Sequence, residues 1–326
     1  MLAVIVSEPG GPERLELREV PDPKPSSHDV VIRVHASALN RADLLQRRGL
    51  YPPPPGETEI LGLECAGVVE ELGAGITTLA AGERVMALLP GGGYAERVRV
   101  HESLVLPIPE ALSFEQAAAI PEAFLTAHEA LLGAAELSPG ERVLIHAAAG
   151  GVGSAAVELA RELGAFVFAT TRDPNKVEWL TELGANQVID TSTQDFAAVV
   201  REASNGRGVD VIVDFVGASL SEANQSVLAA AGRWVVVGLL GGTRGTIDFA
   251  RLLGLRQTIR GIVMRTRPLT EKAAIVRAFR RDFLSWFDEG RITPRIDSVF
   301  PLAEVRFAHE RMERNENRGK IVLRVS

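Results

Sequence analysis

Ala148, Gly150 and Gly153 stand at the first, third and sixth positions of a short turn inside Arg142-Val-Leu-Ile-His-Ala-Ala-Ala-Gly-Gly-Val-Gly153. Small residues at that spacing can cradle a pyrophosphate. Glycine lets the backbone come close, and the free N–H groups and positive dipole end of a following helix face the anion. Gly151 and Val152 complete the turn. Glycine turns are common, so this reading needs a strand before the turn and a helix after it. Both are present. Residues 143–146 are a short β-rich run, and Val152, Ala156, Leu159 and Leu163 step by four, three and four, as one buried helix face does. Gly164 closes that helix, and Phe166-Val-Phe-Ala-Thr-Thr171 reads as the next strand. Strand, turn, helix and strand within about thirty residues predict a dinucleotide site; the alternative is a plain βαβ turn.

The end of that second strand decides which dinucleotide. NAD enzymes usually carry an acid there for the ribose hydroxyls. The chain reads Thr170-Thr-Arg-Asp-Pro-Asn-Lys176, so Asp173 could be that acid. Asp-Pro at a helix start is equally a cap followed by proline at the first helical position. On the cap reading, Thr171 closes the strand, and Arg172 and Lys176 remain as cations for the 2′-phosphate of NADPH. The alternative for both is a solvated surface charge. NADPH is favoured. Gly217, after the strand at 209–216, and Gly238 and Leu239, after the fifth strand, fall on the ligand-facing carboxyl edge of such a fold. The run Gly238-Leu-Leu-Gly-Gly242 lines the nicotinamide pocket or is a turn without a ligand.

These residues need a scaffold. The 326 residues exceed one ordinary core and suggest two domains. The first hundred are β-rich, with strands expected at 1–6, 15–20, 30–36, 64–72, 84–88 and 94–100 between glycine turns, as in a barrel-like domain. Residues 38–49 form a short helix or turn, and the prolines of 51–56 a rigid loop, since proline lacks the N–H. Ser113-Phe-Glu-Gln116 is a capping box opening a helical stretch through 137. Strands at 187–190, 209–216, 233–237 and 258–263 then alternate with helices at 176–183, 196–203 and 221–231. Near-continuous apolar strands between helices indicate a parallel sheet covered on both faces. A helix is expected at 277–287, and a last strand at 319–325 returns to the β-rich domain.

Composition excludes several classes. Hydrophobic residues are 46% and charged residues 24%, as in a globular protein. A net charge of −7 without a basic stripe argues against nucleic acid. There is no run long enough to span a membrane. The apolar start lacks a basic flank and reads as a strand rather than a signal peptide. The single cysteine, Cys65, excludes internal disulfides and a multi-thiolate zinc site. A cytoplasmic location is expected.

The order of these parts resembles the medium-chain dehydrogenase/reductase superfamily. Ala38-Leu-Asn-Arg-Ala-Asp43, Gly49-Leu-Tyr-Pro-Pro-Pro-Pro-Gly56, Leu61-Gly-Leu-Glu64 and Ala87-Leu-Leu-Pro-Gly-Gly-Gly93 resemble its zeta-crystallin-like quinone oxidoreductases. With Pro121-Glu-Ala-Phe-Leu-Thr-Ala127 and Arg318-Gly-Lys-Ile-Val322, the nearest subgroup is the tumour-suppressor-inducible quinone oxidoreductases. The resemblance implies a GroES-like β-barrel domain at 1–120 and 265–326 and a doubly wound, six-stranded parallel (Rossmann) domain at 121–264. The superfamily's zinc enzymes carry a cysteine near residue 40 and a histidine before the glutamate. Here Asn40 and Leu63 stand there with Glu64 kept, so the chain resembles the zinc-free branch.

Without metal, reduction needs a nicotinamide at hydride distance and donors that polarise the acceptor oxygen. The resemblance assigns acceptor-side roles to Asn40 and Tyr51, whose amide and hydroxyl can donate. Asn40 could instead cap the following helix, and the Tyr51 ring could pack on the prolines. Thr126 reads from its apolar helix as a core threonine bonding its own backbone; the resemblance gives it a nicotinamide role. Met264 and Arg265 resemble a cofactor-facing loop. Asn317 and Lys320 resemble a segment closing over the nicotinamide, although Lys320 also reads as a surface lysine opening a strand. No residue stands out as a proton donor. The implied function is NADPH-dependent quinone reduction. Reduction of an activated alkene and a non-catalytic NADPH-binding role are the alternatives. The resemblance and the exposed edge of a sixth strand imply a homodimer.

Overall fold

The computed structural model describes residues 1–325. It divides into two compact units, Met1–Leu125 with Met264–Ser326, and Thr126–Val263.

The first unit is built on a seven-stranded sheet. Its path runs Ile296–Pro301, Lys320–Arg324, Asp29–Ala38, Glu64–Leu72, Arg84–Leu88 and Val105–Pro107, and Arg97–His101 pairs separately with Asp29–Ala38. The last strand of the chain does return here, pairing antiparallel with Asp29–Ala38 through Leu323 opposite Ser37. Burial along Asp29–Ala38 does not alternate throughout: Val31 is buried like Val30 and Ile32, and Ser37 like Ala36 and Ala38. Register shifts between Val31 and Ile32 and between Val34 and Ala36 accompany the two breaks, because an inserted residue turns its neighbour to the other face. The hairpin Leu2–Val6 with Leu15–Glu19 and the helices Arg41–Arg47 and Val305–Glu313 close one core through Val4, Leu44, Tyr94, Ala308 and Ile321.

The second unit carries six parallel strands in the order Gln187–Asp190, Phe166–Thr171, Arg142–Ile145, Val209–Asp214, Leu228–Val236, Thr258–Gly261. The chain winds outward from Arg142–Ile145 in one direction and then, from Val209–Asp214, in the other. That reversal is the switch point where doubly wound sheets bind ligands. All six residues of Val209–Asp214 are buried. Its two aspartates are satisfied: Asp210 accepts from Arg142 N at 2.8 Å and Arg207 Nη2 at 2.8 Å.

Three expected elements are corrected. The helix expected at 221–231 ends at Val227, and Leu228 opens a strand. Pairing of Leu228 beside Val209 overrides the helix preference of its alanines. The stretch 114–137 breaks into Phe114–Ala118, Pro121–His128 and a π-turn at Glu129–Ala134, because Pro121 cannot donate to a continuous helix. The helix expected at 277–287 is Leu269–Phe283 followed by Ser285–Asp288. Its buried face starts with a cation, Lys272, followed by Ile275, Val276 and Phe279. The expected start at 277 falls eight residues after the observed one.

Candidate active site

In the second unit the glycine turn has the geometry of an anion cradle. Gly150 is the N-cap of Gly151–Glu162 and has no side chain to cap it. The N–H groups of Gly151, Val152 and Gly153 therefore lack an intrahelical acceptor. A Cβ on Gly150 would meet nothing nearer than Ala147 O at 3.5 Å, so the approach is open. A Cβ on Gly153 would lie 2.7 Å from Ala147 O and 2.8 Å from Ala148 Cα. The last glycine thus permits close strand–helix packing, while Ala148 N bonds Thr170 O at 3.0 Å.

Beneath the turn lies a buried network that sequence reasoning missed. Asp214 accepts from Val216 N at 2.7 Å, Gly217 N at 2.9 Å, Asn224 Nδ2 at 3.0 Å and Trp234 Nε1 at 3.0 Å. Since the Asn224 amide donates to Asp214, its oxygen faces His146 Nε2 at 2.7 Å and must accept. The His146 proton is therefore on Nε2, and Nδ1 accepts from Thr170 Oγ1 at 3.1 Å. Burial pushes the His146 pKa down and keeps the ring neutral. The only sequence signal was an aspartate closing an apolar strand.

The network sets the carboxyl edge. Gly217 has φ +82°, and a Cβ there would lie 2.9 Å from Leu239 Cδ2 and 3.1 Å from Gly238 O. The loops carrying Gly217, Gly238 and Leu239 lie against each other at the same edge as the glycine turn, Thr171 and Arg172. Asp173 behaves as a cap: its Oδ1 accepts from Asn175 N at 3.0 Å, opening the turn Pro174–Lys176. Arg172 is exposed. Lys176 is only 6% exposed, with Nζ 4.0 Å from Asp173 Oδ2, which corrects its reading as a solvated surface charge. Thr126 is also corrected. It is 7% exposed, and its buried hydroxyl has no hydrogen-bond partner among the described residues rather than a bond to its own backbone.

In the first unit Asn40, Glu64 and Lys320 form one buried cluster. Lys320 Nζ donates to Glu64 Oε1 at 2.5 Å, Asn40 Oδ1 at 2.8 Å and Leu39 O at 2.7 Å. Asn40 Nδ2 donates to Glu64 Oε1 at 2.8 Å and Ala38 O at 3.3 Å. Glu64 Oε2 accepts from Glu122 N at 2.8 Å. Two expectations change. The Asn40 amide hydrogens are committed inside the cluster, so Asn40 positions Glu64 and Lys320 rather than donating to an acceptor. Lys320 is neither a surface lysine nor free for a nicotinamide, because all three of its hydrogens are used. Asn40 does sit at the start of Arg41–Arg47, where its N–H bonds Asp43 Oδ2 at 2.8 Å.

Acidic groups crowd this cluster. Burial raises Asp43 to about 6, opposed by the N–H groups of Asn40 and Gly62 and the Tyr94 hydroxyl. Glu122 keeps some exposed surface, but desolvation of its carboxyl, then the neighbouring Glu64 charge, raise it to about 8. Tyr51 is half-buried, with the Arg265 guanidinium over its ring at 5.3 Å. Its hydroxyl makes no hydrogen bond among the described residues. Burial and Glu122 push its pKa up, so it stays a neutral donor. Arg265 holds the Tyr51 loop through Pro90 O at 2.7 Å and Tyr51 O at 3.3 Å. Met264 is buried beside it in sequence. Asn317 Nδ2 bonds Gly319 O at 2.8 Å, shaping the turn before the last strand.

These residues do not fit a catalytic zinc. Leu63 is apolar and buried. Both Glu64 oxygens are engaged, and a lysine ammonium stands against Glu64. Burial holds the Cys65 thiol far above its ordinary pKa. Among the described residues no group of three or more His, Cys, Asp or Glu side chains could hold a metal ion.

A six-stranded parallel sheet with a glycine turn of anion-cradle geometry, in one chain with a β unit, is the make-up of a medium-chain dehydrogenase/reductase. Residues 26–110 match the Alcohol dehydrogenase GroES-like domain family, and 151–279 the family described as Zinc-binding dehydrogenase. The synaptic vesicle membrane protein VAT-1 homolog of Rattus norvegicus is 34% identical over 96% of this chain and 81% of its own length. A Pseudomonas syringae quinone oxidoreductase structure is 31% identical with TM-score 0.88, covering 99% of each chain. The CurK enoyl reductase (29%, TM-score 0.89) covers 100% of this chain and 99% of its own. A mycobacterial protein solved complexed with NADPH (30%, TM-score 0.89) covers 100% of both. The chain belongs to the zinc-free medium-chain dehydrogenase/reductase family of quinone oxidoreductase type, with a GroES-like and a Rossmann-like domain. It is an oxidoreductase of that family, built around a nicotinamide cofactor.

Proposed function

We propose that the protein is an NADPH-dependent quinone oxidoreductase working without metal. One observation carries the reading: a dinucleotide cradle accompanied by a neutral, unpartnered Tyr51 hydroxyl, where the family's zinc position holds only Asn40, Leu63 and Glu64. NADPH, when bound, supplies the hydride. Gly151, Val152 and Gly153 bind its pyrophosphate through their N–H groups, and Arg172 meets its 2′-phosphate. The Thr126 hydroxyl is a donor reserved for the nicotinamide amide. Tyr51 donates to the acceptor oxygen as that oxygen gains charge. The hydroquinone anion that results is stabilised enough to take its proton from water.

The same residues support reduction of an enal or enone double bond, and the similarity to an enoyl reductase at TM-score 0.89 favours keeping that reading second. Steady-state NADPH oxidation across a panel of quinones and enones separates them. Quinone turnover at least tenfold above enone turnover is expected. Enone preference would select the second reading. No turnover with either would leave a non-catalytic NADPH-binding protein.

A further inference from the structure

The first unit contains a cavity of about 320 Å³ lined by Pro54, Glu57, Pro90, Arg265, Arg267 and Lys272. Its cations are not equivalent. Arg267 pairs with Glu271 at 3.6 Å. Arg99, also on the wall, pairs with Asp29 at 3.6 Å. Among the described residues Arg265 and Lys272 make no ion pair, although they are only 3% and 8% exposed, and the nearby charges of Glu57 and Glu122 act on them without reaching bridging distance. Arg265 spends Nε and Nη1 on Pro90 O and Tyr51 O. Its Nη2 is buried with no partner. Lys272 Nζ has a single long bond, to Arg265 O at 3.4 Å. Glu57 is exposed and forms no bridge to either.

Buried cations are normally paired, because desolvation without a counter-charge costs stability. Two neighbouring ones left open on a cavity wall point to an anion that arrives from outside. A guanidinium edge and an ammonium suit oxygen anions, the first by directed N–H bonds and the second as a compact charge. Arg265 also lies over the Tyr51 ring, which couples the cavity to the acceptor end of the proposed reaction.

We propose that this cavity binds an anionic oxygen group, a carboxylate or a phosphate ester, carried by the acceptor, through the Arg265 guanidinium and Lys272 Nζ. The substrate is then an acceptor with an acidic arm rather than a simple quinone or enone. This specificity rests on the reductase reading; the anion site itself does not.

The test has two parts. Inorganic phosphate is titrated against the full chain, read by melting temperature, for the wild type and Lys272→Met. The variant replaces a desolvated ammonium with an apolar chain of similar length, so it is expected to fold and melt no lower. Phosphate should raise the melting temperature of the wild type but not of Lys272→Met, with NADPH present or absent. An equal rise in both proteins overturns the site, as does no rise in either. A rise abolished by NADPH assigns the cations to the cofactor and overturns it too. The second part compares acceptors in pairs: a carboxylate-bearing benzoquinone with its methyl ester, and crotonyl phosphopantetheine with crotonyl pantetheine. In at least one pair the acidic member should be favoured about tenfold in kcat/KM. That preference should collapse in Lys272→Met, and the responding pair names the source of the anion. No preference in either pair overturns the acidic-arm specificity. Inactivity with all four acceptors refutes the reductase reading instead, while the phosphate titration still decides the site.

Discussion

The cofactor preference we propose rests on single residues. Asp173, Arg172 and Lys176 were readable as a cap and two cations because Asp-Pro has a local meaning that needs no tertiary structure. The burial of Lys176 was not readable, since a lysine after a cap looks solvated in any sequence. It shifts the expected weight onto Arg172. Arg172→Ala should weaken NADPH binding about tenfold and leave NADH nearly unchanged, as one charge-assisted contact predicts. Asp173→Ala should lower stability by about 1 kcal/mol without loss of NADH affinity. Fluorescence titration with both cofactors, alongside denaturant melts, reads the two effects. If Asp173→Ala instead costs NADH tenfold, Asp173 is the ribose acid and the NADPH assignment is wrong.

Glu122 gives a second prediction at this scale. Its pKa rises from 4.5 to about 8 on folding. Between those values the native state binds more protons than the unfolded one, so stability falls as pH rises. This contribution is complete below pH 4.5 and gone above about 8. Glu122→Gln cannot titrate and should flatten that decline. Parallel stability profiles of wild type and variant across the window would refute the shift.

Among elements, the legible ones had local marks. The capping box at Ser113 and Gln116 forms as expected, with Gln116 N donating to Ser113 Oγ at 3.2 Å and Ser113 N to Gln116 Oε1 at 3.0 Å. The strands Glu64–Leu72 and Arg84–Leu88 fall where the glycine turns around them placed them. The helix Leu269–Phe283 was half hidden because its buried face begins with Lys272, a residue that reads as surface. The strand opening at Leu228 was hidden because its neighbours are alanines and its reason is a partner strand. Within the cofactor element, Gly153→Ala places a Cβ 2.7 Å from a carbonyl oxygen that cannot yield. It should lower the melting temperature and weaken NADPH at least tenfold. Gly150→Ala meets nothing within 3.4 Å and should keep the melting temperature while still crowding the pyrophosphate. Equal melting of both variants would contradict the packing role of Gly153.

At the scale of the whole molecule, the two fold types were legible because a phosphate turn and alternating strands each repeat a known local grammar. The hydrogen-bonded clusters around Asp214 and Lys320 were not, because their members are separated by as many as 280 residues in sequence, as Asn40 and Lys320 are. No helix among the described residues is long and apolar enough to cross a membrane. We also propose a homodimer. The strand Thr258–Gly261 pairs on one side only and is exposed throughout. Near it in sequence, Phe249 and Leu253 are 74% and 81% exposed and Val263 45%. An unpaired edge with apolar neighbours favours a second copy of the same edge. Equilibrium sedimentation should give twice the 35.0 kDa chain mass at micromolar concentration, and Ile259→Lys should return it to one chain. A wild-type mass of one chain would contradict the dimer.

The central claim is hydride transfer from NADPH to a quinone without zinc. It is tested most directly by following NADPH oxidation with 1,4-benzoquinone on protein dialysed against a strong chelator, with metal content measured on the same sample. Undiminished turnover is expected with zinc well below one per chain. Turnover that disappears with the metal and returns on adding zinc would contradict it.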